Sequence, residues 1–488
     1  MRALALAGAT LLLTACASLE TGEPARTLSA EELMLLNRVT WGVNASSARQ
    51  MAATSTEGWL KRQLRPPKGD DLPAEAKAQV AKMTITQRPM VEVAMELGER
   101  RRAFLAMKGA PEAKEAQQAF QQELTRLARE AMTRSVLRAV YSPWQLREQM
   151  TWFWMNHFSV FAPKAEIRAY VADYEENAIR PHALGRFRDL LGATARHPAM
   201  LRYLDNAQNA AGRINENYAR ELMELHTLGA DGGYSQRDVQ ELARVLTGFG
   251  IINREVPMRA RVNSGYERSG LFEFVPARHD YGAKTLLGKT IRGRGAEELD
   301  EALDRLASHP STARFVSRKL AVFLVGDEPP PSLVERMSIE WRKTDGDIAR
   351  VLQLVFASPE FKDSLGKKFK DPVHYVYSAA RIAYDGQPMT EPGRVLGWLG
   401  RLGEPLYLRQ TPDGYPMVAG DWSSAGQMAV RFEVARAIGY AAPAEMATAA
   451  PGALPVALGE STRAMLEKAD SNQEKSFLLL ASPEFMQR

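Results

Sequence analysis

Cysteine is almost absent from this sequence, which has only Cys16 among its 488 residues. A single thiol excludes an intrachain disulfide and a cysteine metal site, and without a Cys-x-x-Cys-His motif the chain attaches no c-type haem. A glycine-rich phosphate loop and a Gly-x-Ser-x-Gly elbow are also missing, so the sequence predicts no nucleotide site and gives poor support for a serine nucleophile. The 63 basic and 58 acidic residues nearly balance, which argues against a dedicated nucleic-acid binder.

Long apolar runs are scarce too, and the one that stands out lies at the start of the sequence. Residues 3–13 follow the positive Arg2 and are too few to span a bilayer, but they fit the core of a signal peptide. The residues Leu13-Thr14-Ala15-Cys16 that close the run resemble a bacterial lipobox, in which the cysteine becomes the lipidated first residue of the mature protein. We therefore expect a signal peptide over 1–15, lipidation of Cys16 and a lipidated linker over 16–28.

The residues after the cysteine bear on which membrane would receive the anchor. Ala17 and Ser18 follow it without an aspartate, and resemblance to bacterial lipoproteins then implies the outer membrane. We expect the protein to be exported and anchored there, facing the periplasm or the cell surface. The alternative is plain secretion, with Ala15-Cys16-Ala17 as an ordinary small-residue cleavage site.

The rest of the chain predicts an all-α fold with a large multi-helix body. Residues 74–140, rich in Ala, Glu, Gln, Lys and Arg, predict a long N-terminal hairpin of two helices broken near Gly109-Ala110-Pro111. Residues 251–296 predict one long, mostly irregular loop with at most a small hairpin, and loops of this length are often functional. We expect a main helical domain over 29–440, an Ala/Pro-rich linker over 441–458 and a C-terminal helix over 459–488.

The densest set of unlike polar groups lies in Ile214–Gly248, which reads as helix, glycine turn, helix. At 100° per residue, a helix over 215–228 places Asn217, Arg220, Glu221 and Glu224 on one face, with Asn215 and His226 on the nearly opposite, mostly apolar side. Purely structural roles for Arg220, Glu224 and His226 stay open as alternative interpretations. Arg220 and Glu224 have the spacing of an i,i+4 ion pair. His226 fits a last-turn histidine favoured by the helix dipole, or a hydrogen-bonded core histidine.

Several histidines of the middle chain are candidate metal ligands beside the carboxylates Asp205, Glu221, Glu224 and Asp280. Two histidines and a carboxylate can hold a divalent metal, but no His-Glu-x-x-His motif is present, so ligands would have to converge from separate helices. The His279-Asp280 pair is expected to be the best exposed candidate, and its alternative is a turn that Asp280 caps. The candidate metal ligands are His157, His226 and His279.

The motifs together resemble a known family, the bacterial domain-of-unknown-function family 1800. The resemblance implies an exported, mainly helical protein and implies no reaction. It also implies a partner from a second exported family with a phosphatase-like or sulfatase-like fold. Two departures are Phe249, where members often carry tryptophan, and a shorter insert between Gln208 and Arg213. The residues that carry the resemblance are Asn156-His157-Phe158, Arg180-Pro181-His182 with the following residues to Leu191, Leu204-Asp205-Asn206, residues 215–229, Gly233-Tyr234-Ser235-Gln236, Leu246-Thr247-Gly248, His279-Asp280 and Gly414-Tyr415-Pro416.

Two hypotheses about function follow. In the first, the protein is a cell-envelope lipoprotein that binds or assembles envelope polymers or an exported partner protein, and the polar helix face is used for structural ion pairs. Its candidate binding residues are Asn215, Asn217, Arg220, His157, His182, His279 and Asp280. In the second, it is a hydrolase of an envelope polysaccharide or related polymer, metal-assisted or with two carboxylates, and its polar groups converge on one open cleft. Its candidate catalytic residues are Glu221, Glu224, His226 and Asp205.

Overall fold

The computed structural model describes residues 26–107, 109–252, 265–441 and 458–488. The predicted signal peptide, Cys16 and most of the lipidated linker lie outside the described residues, as do residues 442–457 of the Ala/Pro-rich linker. Within these ranges, no helix is long and apolar enough to cross a membrane.

The described chain is a large helical body, so the predicted all-α class is confirmed. Its first helix begins at a capping box, in which the Ser29 hydroxyl accepts from the Glu32 N–H and the Glu32 carboxylate accepts from the Ser29 N–H. The helices up to the polar central stretch are α1 Ala30–Val39, α2 Ala45–Ala52, α3 Thr56–Leu64, α4 Ala74–Ala81, α5 Thr84–Gln87, α6 Met90–Ala106, α7 Glu112–Tyr141, α8 Gln145–His157, α9 Ile167–Asp173, α10 Phe187–Arg196 and α11 Pro198–Tyr203.

The N-terminal hairpin is present, but its first arm differs from the prediction. It consists of α4, α5 and α6 instead of one helix, whereas the second arm, α7, runs unbroken for 30 residues. Arg88 is extended because the residue before a proline, here Pro89, avoids helical geometry. Met83 is also extended and separates α4 from α5.

The central stretch and the long loop hold two more helices and all the strands described. They are α12 Asn217–Glu224, α13 Gln236–Val245, β1 Phe249–Ile251, β2 Glu267–Ser269, β3 Phe272–Phe274, β4 Lys284–Leu286 and β5 Lys289–Ile291. The loop was predicted to contain at most a small hairpin, but the structure has more strands than that. It carries an antiparallel sheet of order β1-β3-β2 and a separate β4-β5 hairpin. The first sheet is completed by β1, which pairs Phe249 with Phe274, a contact that local pattern does not reveal.

The C-terminal part is again helical, and the predicted single helix over 459–488 is two. A new helix begins after Ser471, whose side chain accepts from the Glu474 N–H. The helices of this part are α14 Glu297–Ala307, α15 Pro310–Leu324, α16 Pro331–Lys343, α17 Ile348–Ala357, α18 Pro359–Asp363, α19 Pro372–Ala383, α20 Pro392–Arg401, α21 Ala425–Ala441, α22 Glu460–Lys468 and α23 Asn472–Ala481.

Two apolar clusters form the core. The larger one joins residues from α1 to α18, and the smaller one lies among the C-terminal end of α7, α19, α20, α21 and α23. Trp152 and Tyr407 pack against both clusters. Burial of this apolar surface is the main source of stability.

A buried arginine connects distant parts of this core. The guanidinium of Arg38, at the end of α1, donates to the carbonyl oxygens of Leu324 at 2.5 Å, Ser364 at 2.6 Å and Arg488 at 2.6 Å. The last of these joins residues 450 positions apart. One side chain thereby fixes α1 against three separate backbone segments.

Candidate functional site

The helix at the centre of the site, α12, is shorter than the sequence predicts. Asn215 precedes it, and its side-chain oxygen accepts from the Asn217 N–H at 3.0 Å. After Glu224 the backbone widens, because the His226 N–H reaches back five residues to the Glu221 carbonyl at 3.1 Å. The prediction that Asn215 and His226 share one helix face is therefore wrong, since both lie outside the regular helix.

The predicted Arg220–Glu224 ion pair does not form. Arg220 instead contacts Glu216 at 3.2 Å and the side-chain oxygen of Gln236 at 2.8 Å, while the Gln236 amide donates to Glu216 at 2.7 Å. This closed group joins the starts of α12 and α13. Within the described residues, the Glu224 side chain has one hydrogen bond, a long one of 3.4 Å from the Tyr234 hydroxyl.

Glu221 is the carboxylate of α12 that is not used in the fold. It is half-buried, and its side chain makes no hydrogen bond or ion pair with any residue that the structure describes. Burial raises its pKa above the usual value, the nearby charges of Glu224 and Asp413 raise it further, and the charge of Arg220 opposes the rise. The pKa of the Tyr203 phenol is raised by burial and, to a lesser extent, by the charge of Glu221.

The second charged side chain of interest is that of Lys319 on α15. It makes no hydrogen bond or ion pair within the described ranges, and its Nζ lies 5.6 Å from the Phe315 ring centroid. Burial lowers its pKa to about 8, and Asp413 opposes that change. Asp413 thus lies within electrostatic range of both Glu221 and Lys319. We call Glu221, Glu224, Lys319 and Asp413 the Glu221 cluster.

Two buried histidines lie behind this cluster. The Nε2–H of His157 donates to the His226 carbonyl at 3.0 Å, and the two ring centroids are 6.2 Å apart. Each residue is 1% exposed. Burial, followed by the charge of Lys319, lowers the pKa of His157 well below its usual value and that of His226 to about 3. Nδ1 of His157 and both ring nitrogens of His226 have no hydrogen-bond partner in the described part of the chain.

The loop that carries Asp413 is fixed by the residue next to His157. The Asn156 side-chain amide donates to the Tyr415 carbonyl at 2.9 Å and accepts from the Tyr415 N–H at 2.6 Å. Gly414 has φ +80°, and a Cβ at this position would lie 2.2 Å from the Asn156 carbonyl oxygen. Glycine is therefore required at this turn for both conformation and space.

Asparagines hold the start of α12 against the loop after α11. The Asn217 side chain donates to the Leu204 carbonyl at 3.2 Å, and the Asn215 N–H donates to the Asn209 side chain at 2.9 Å. Asp205 has a left-handed backbone with φ 60°, and its carboxylate pairs with Lys164 at 2.9 Å. The candidate catalytic carboxylate Asp205 thus has a counter-ion of its own, unlike Glu221.

The remaining candidates lie elsewhere, and the expectation that His279 is exposed is wrong. His279 is 5% exposed, with Nδ1 donating to the Thr247 carbonyl at 2.8 Å and Nε2 bonded to Glu298 at 2.9 Å. Asp280 pairs with Arg244 at 2.8 Å. The loop is anchored there by these internal bonds, so it does not present the pair to solvent. His182 lies in the short turn Arg180–His182, and burial lowers its pKa.

The structure brings only part of the predicted set together. His157 and His226 meet, while His279 is bound to Thr247 and Glu298. Among the residues that the structure describes, no group of three or more His, Cys, Asp or Glu side chains is arranged to hold a metal ion. Sequence reasoning missed Lys319 and Asp413. Asp413 directly precedes the Gly414-Tyr415-Pro416 motif and could have been found from it, whereas Lys319 carries no local signal.

A family model matches residues 34–487, under the description "Protein of unknown function (DUF1800)". The chain belongs to this family. The match covers nearly the whole chain and confirms the resemblance drawn from the motifs. Neither a curated protein nor a solved structure matches the chain.

Gly414→Ala tests whether the Asn156 contact determines the Asp413 loop. We expect a loss of about 2 to 4 kcal/mol in the free energy of unfolding, since the substitution combines left-handed strain with overpacking. Urea unfolding measures it. Gly420→Ala is the control, because a Cβ at Gly420 meets no atom within 4 Å. Equal stability of the two variants would contradict the claim that the Asn156 contact determines the conformation of the loop.

His226→Leu tests the neutral buried imidazole through the pH dependence of stability. Since the folded pKa of about 3 lies below the unfolded value of 6.5, only the unfolded chain binds this proton between these values. Stability from neutral His226 is therefore complete above pH 6.5 and is lost as pH falls. As the pH falls from 6 to 4.5, the wild type loses this stability and the leucine variant does not. The free energy of unfolding of the variant should therefore rise relative to that of the wild type by about 1.4 kcal/mol per pH unit.

Urea unfolding at several pH values measures this gain. The comparison at pH 8, where His226 is neutral in both states, isolates the packing effect of the substitution. The hydrogen bond from His157 is retained in both proteins, because its acceptor is the backbone carbonyl of residue 226. Stability curves that run parallel from pH 8 to 4.5 would contradict the assignment.

Proposed function

We propose that this protein is an exported cell-envelope lipoprotein whose Glu221 cluster binds a hydroxyl-rich envelope polysaccharide. Support for the location comes from the sequence, where the short apolar run ends in Leu13-Thr14-Ala15-Cys16. The lipid at Cys16 attaches the protein to a membrane. Ala17 and Ser18, which follow the cysteine, favour the outer membrane.

The observation that carries the binding function is that Glu221 and Lys319 are both part-buried and that neither side chain has a hydrogen-bond or ion-pair partner in the described chain. A charge that has lost part of its hydration without gaining a protein partner costs free energy, and a ligand can offset that cost. Asp413 does not neutralise Lys319 by contact, since its carboxylate is bonded to Thr411 and Arg409. The cluster therefore keeps free hydrogen-bonding capacity.

The chemistry of these groups suits sugar hydroxyls. The carboxylates of Glu221 and Glu224 accept hydrogen bonds from hydroxyl groups, and the Lys319 ammonium donates to hydroxyl or ring oxygens. Tyr234, whose hydroxyl is bonded to Glu224, adds an apolar ring with a polar tip. Carboxylates beside an aromatic side chain favour a glycan over an apolar ligand.

Removal of the free charges should weaken glycan binding. We expect Glu221→Ala and Lys319→Met each to raise the Kd for soluble envelope polysaccharide fragments about tenfold or more, since each removes a hydrogen bond to a charged group. Isothermal titration calorimetry measures the Kd. Glu335→Ala is the matched control, because this carboxylate is 49% exposed and makes only a 3.7 Å ion pair with Arg314.

Unchanged affinity in both variants would refute the assignment of the site. The exported phosphatase-like or sulfatase-like partner implied by the family resemblance is the competing ligand. If no polysaccharide binds, and the same two variants lose a protein partner from the envelope, the surface serves that partner.

A hydrolase is the second candidate function, and the raised pKa of Glu221 favours it. A carboxyl group whose pKa is raised can act as general acid toward a glycosidic oxygen, and the carboxylate of Glu224 or Asp413 can activate water. The proton of Glu221 goes to the leaving oxygen and the glycosidic C–O bond breaks. Water supplies the new hydroxyl and gives its other proton to the carboxylate of Glu224 or Asp413. Perturbed carboxylates in a polar cluster are frequent at catalytic sites.

Glu221→Gln separates catalysis from binding. If Glu221 is the general acid, turnover measured by release of reducing ends should fall about 10² to 10⁴-fold, while the Kd changes far less. Turnover of the wild type should also decline as pH rises through the raised pKa of Glu221, because only the protonated acid donates. A wild type that binds polysaccharide but releases no reducing ends between pH 4 and 8 is a binding protein.

A further inference from the structure

A second, apolar site lies on another part of the molecule, between α1, α3, α17 and α18. It is a groove of about 540 Å³, within the size range of small-molecule pockets. Its apolar lining is contributed by Leu35, Leu60, Leu64, Phe356, Phe361 and Leu365.

The edges of the groove are polar, whereas its lining is not. Glu31, Glu57, Lys61 and Lys362 also line it, and all four are exposed. An apolar slot with charged edges of both signs matches an alkyl chain whose polar end stays in water. The mixed signs favour neither an anionic nor a cationic headgroup.

The chain enters the body at the edge of this groove. The Arg26 guanidinium donates to the Thr54 carbonyl at 3.2 Å, to the Thr56 hydroxyl at 3.4 Å and to the Glu32 carboxylate at 2.9 Å. Glu32 and Thr56 themselves line the groove. Residue 26 is thus fixed at its rim by bonds to groove residues.

The predicted lipid attachment point is close to that rim. Cys16 precedes Arg26 by ten positions, a length of chain that spans at most about 35 Å when extended. A group on so short a tether has an effective concentration in the millimolar range at sites within its reach. An acyl chain on Cys16 therefore reaches the groove far more often than a free lipid does.

We propose that the groove between α1, α3, α17 and α18 holds a fatty acyl chain of the lipid attached at Cys16. This rests on the lipoprotein part of the proposed function and is independent of the Glu221 cluster. Held in the groove, the acyl chain is shielded from water whenever the protein is off the membrane. Release of the chain into a bilayer leaves the groove open at the membrane surface.

Fluorescent fatty acid binding tests the proposal on two full-length proteins, the lipidated wild type and Cys16→Ser, both freed of detergent. The probe is cis-parinaric acid. We expect Cys16→Ser to bind about one probe per chain and the lipidated protein to bind none. Leu60→Arg, added to Cys16→Ser, should abolish binding, and Leu35→Arg gives a second test should the first variant fold poorly. Ile339→Arg, at a position 50% exposed on α16, is the control that should keep it.

Equal binding by the lipidated and unlipidated proteins overturns the proposal, and so does absence of binding by both. Binding by Cys16→Ser that survives Leu60→Arg and Leu35→Arg places the probe elsewhere and also overturns it. The mass of the N-terminal peptide separates the two claims. An unmodified Cys16 refutes the lipoprotein itself, whereas a lipidated Cys16 with an open groove refutes only the acyl site.

Discussion

Two adjacent residues at the end of α8 hold the site together. Asn156 is bonded twice to the backbone of Tyr415 and thereby fixes the turn after Asp413, while His157 is bonded to the carbonyl of His226 and fixes the turn after α12. Each contact joins positions far apart in the chain. Asp413 and Glu221 come within range of each other because both turns are held by the same end of one buried helix.

Most polar residues of the family motifs form hydrogen bonds of the same kind, which connect one segment of the chain to another. Asn215 and Asn217 bind the loop after α11, Arg220 closes a group with Glu216 and Gln236, and His279 is enclosed with Thr247 and Glu298. Each such contact needs a particular donor or acceptor at its position, which explains why so many unlike polar side chains occur in one stretch. Glu221 and Lys319 stand out because, among the residues that the structure describes, neither has a hydrogen-bond or ion-pair partner.

The sequence predicts the parts of this structure that depend on local pattern. Helix content, the break near Gly109 and the polar face with Glu221 and Glu224 follow from composition and the helical repeat. Asp413 could not be placed within electrostatic range of Glu221 and of Lys319, because that proximity depends on how distant parts of the chain pack. The helix face predicted for His226 was wrong, because the backbone leaves the regular helix after Glu224. Pairing of β1 with β3 was likewise a tertiary contact without a local signal.

The bonds of Arg38 have a consequence for the order of events in folding. They close a contact between residues 450 positions apart, and contacts of such separation form late because the intervening chain must first lose its freedom. In synthesis from the N-terminus, α1 is therefore complete long before its last backbone partner at Arg488 is made. Until that partner arrives, α1 lacks the bond that completes its anchoring, although its nearer neighbours α2 and α8 can already pack against it.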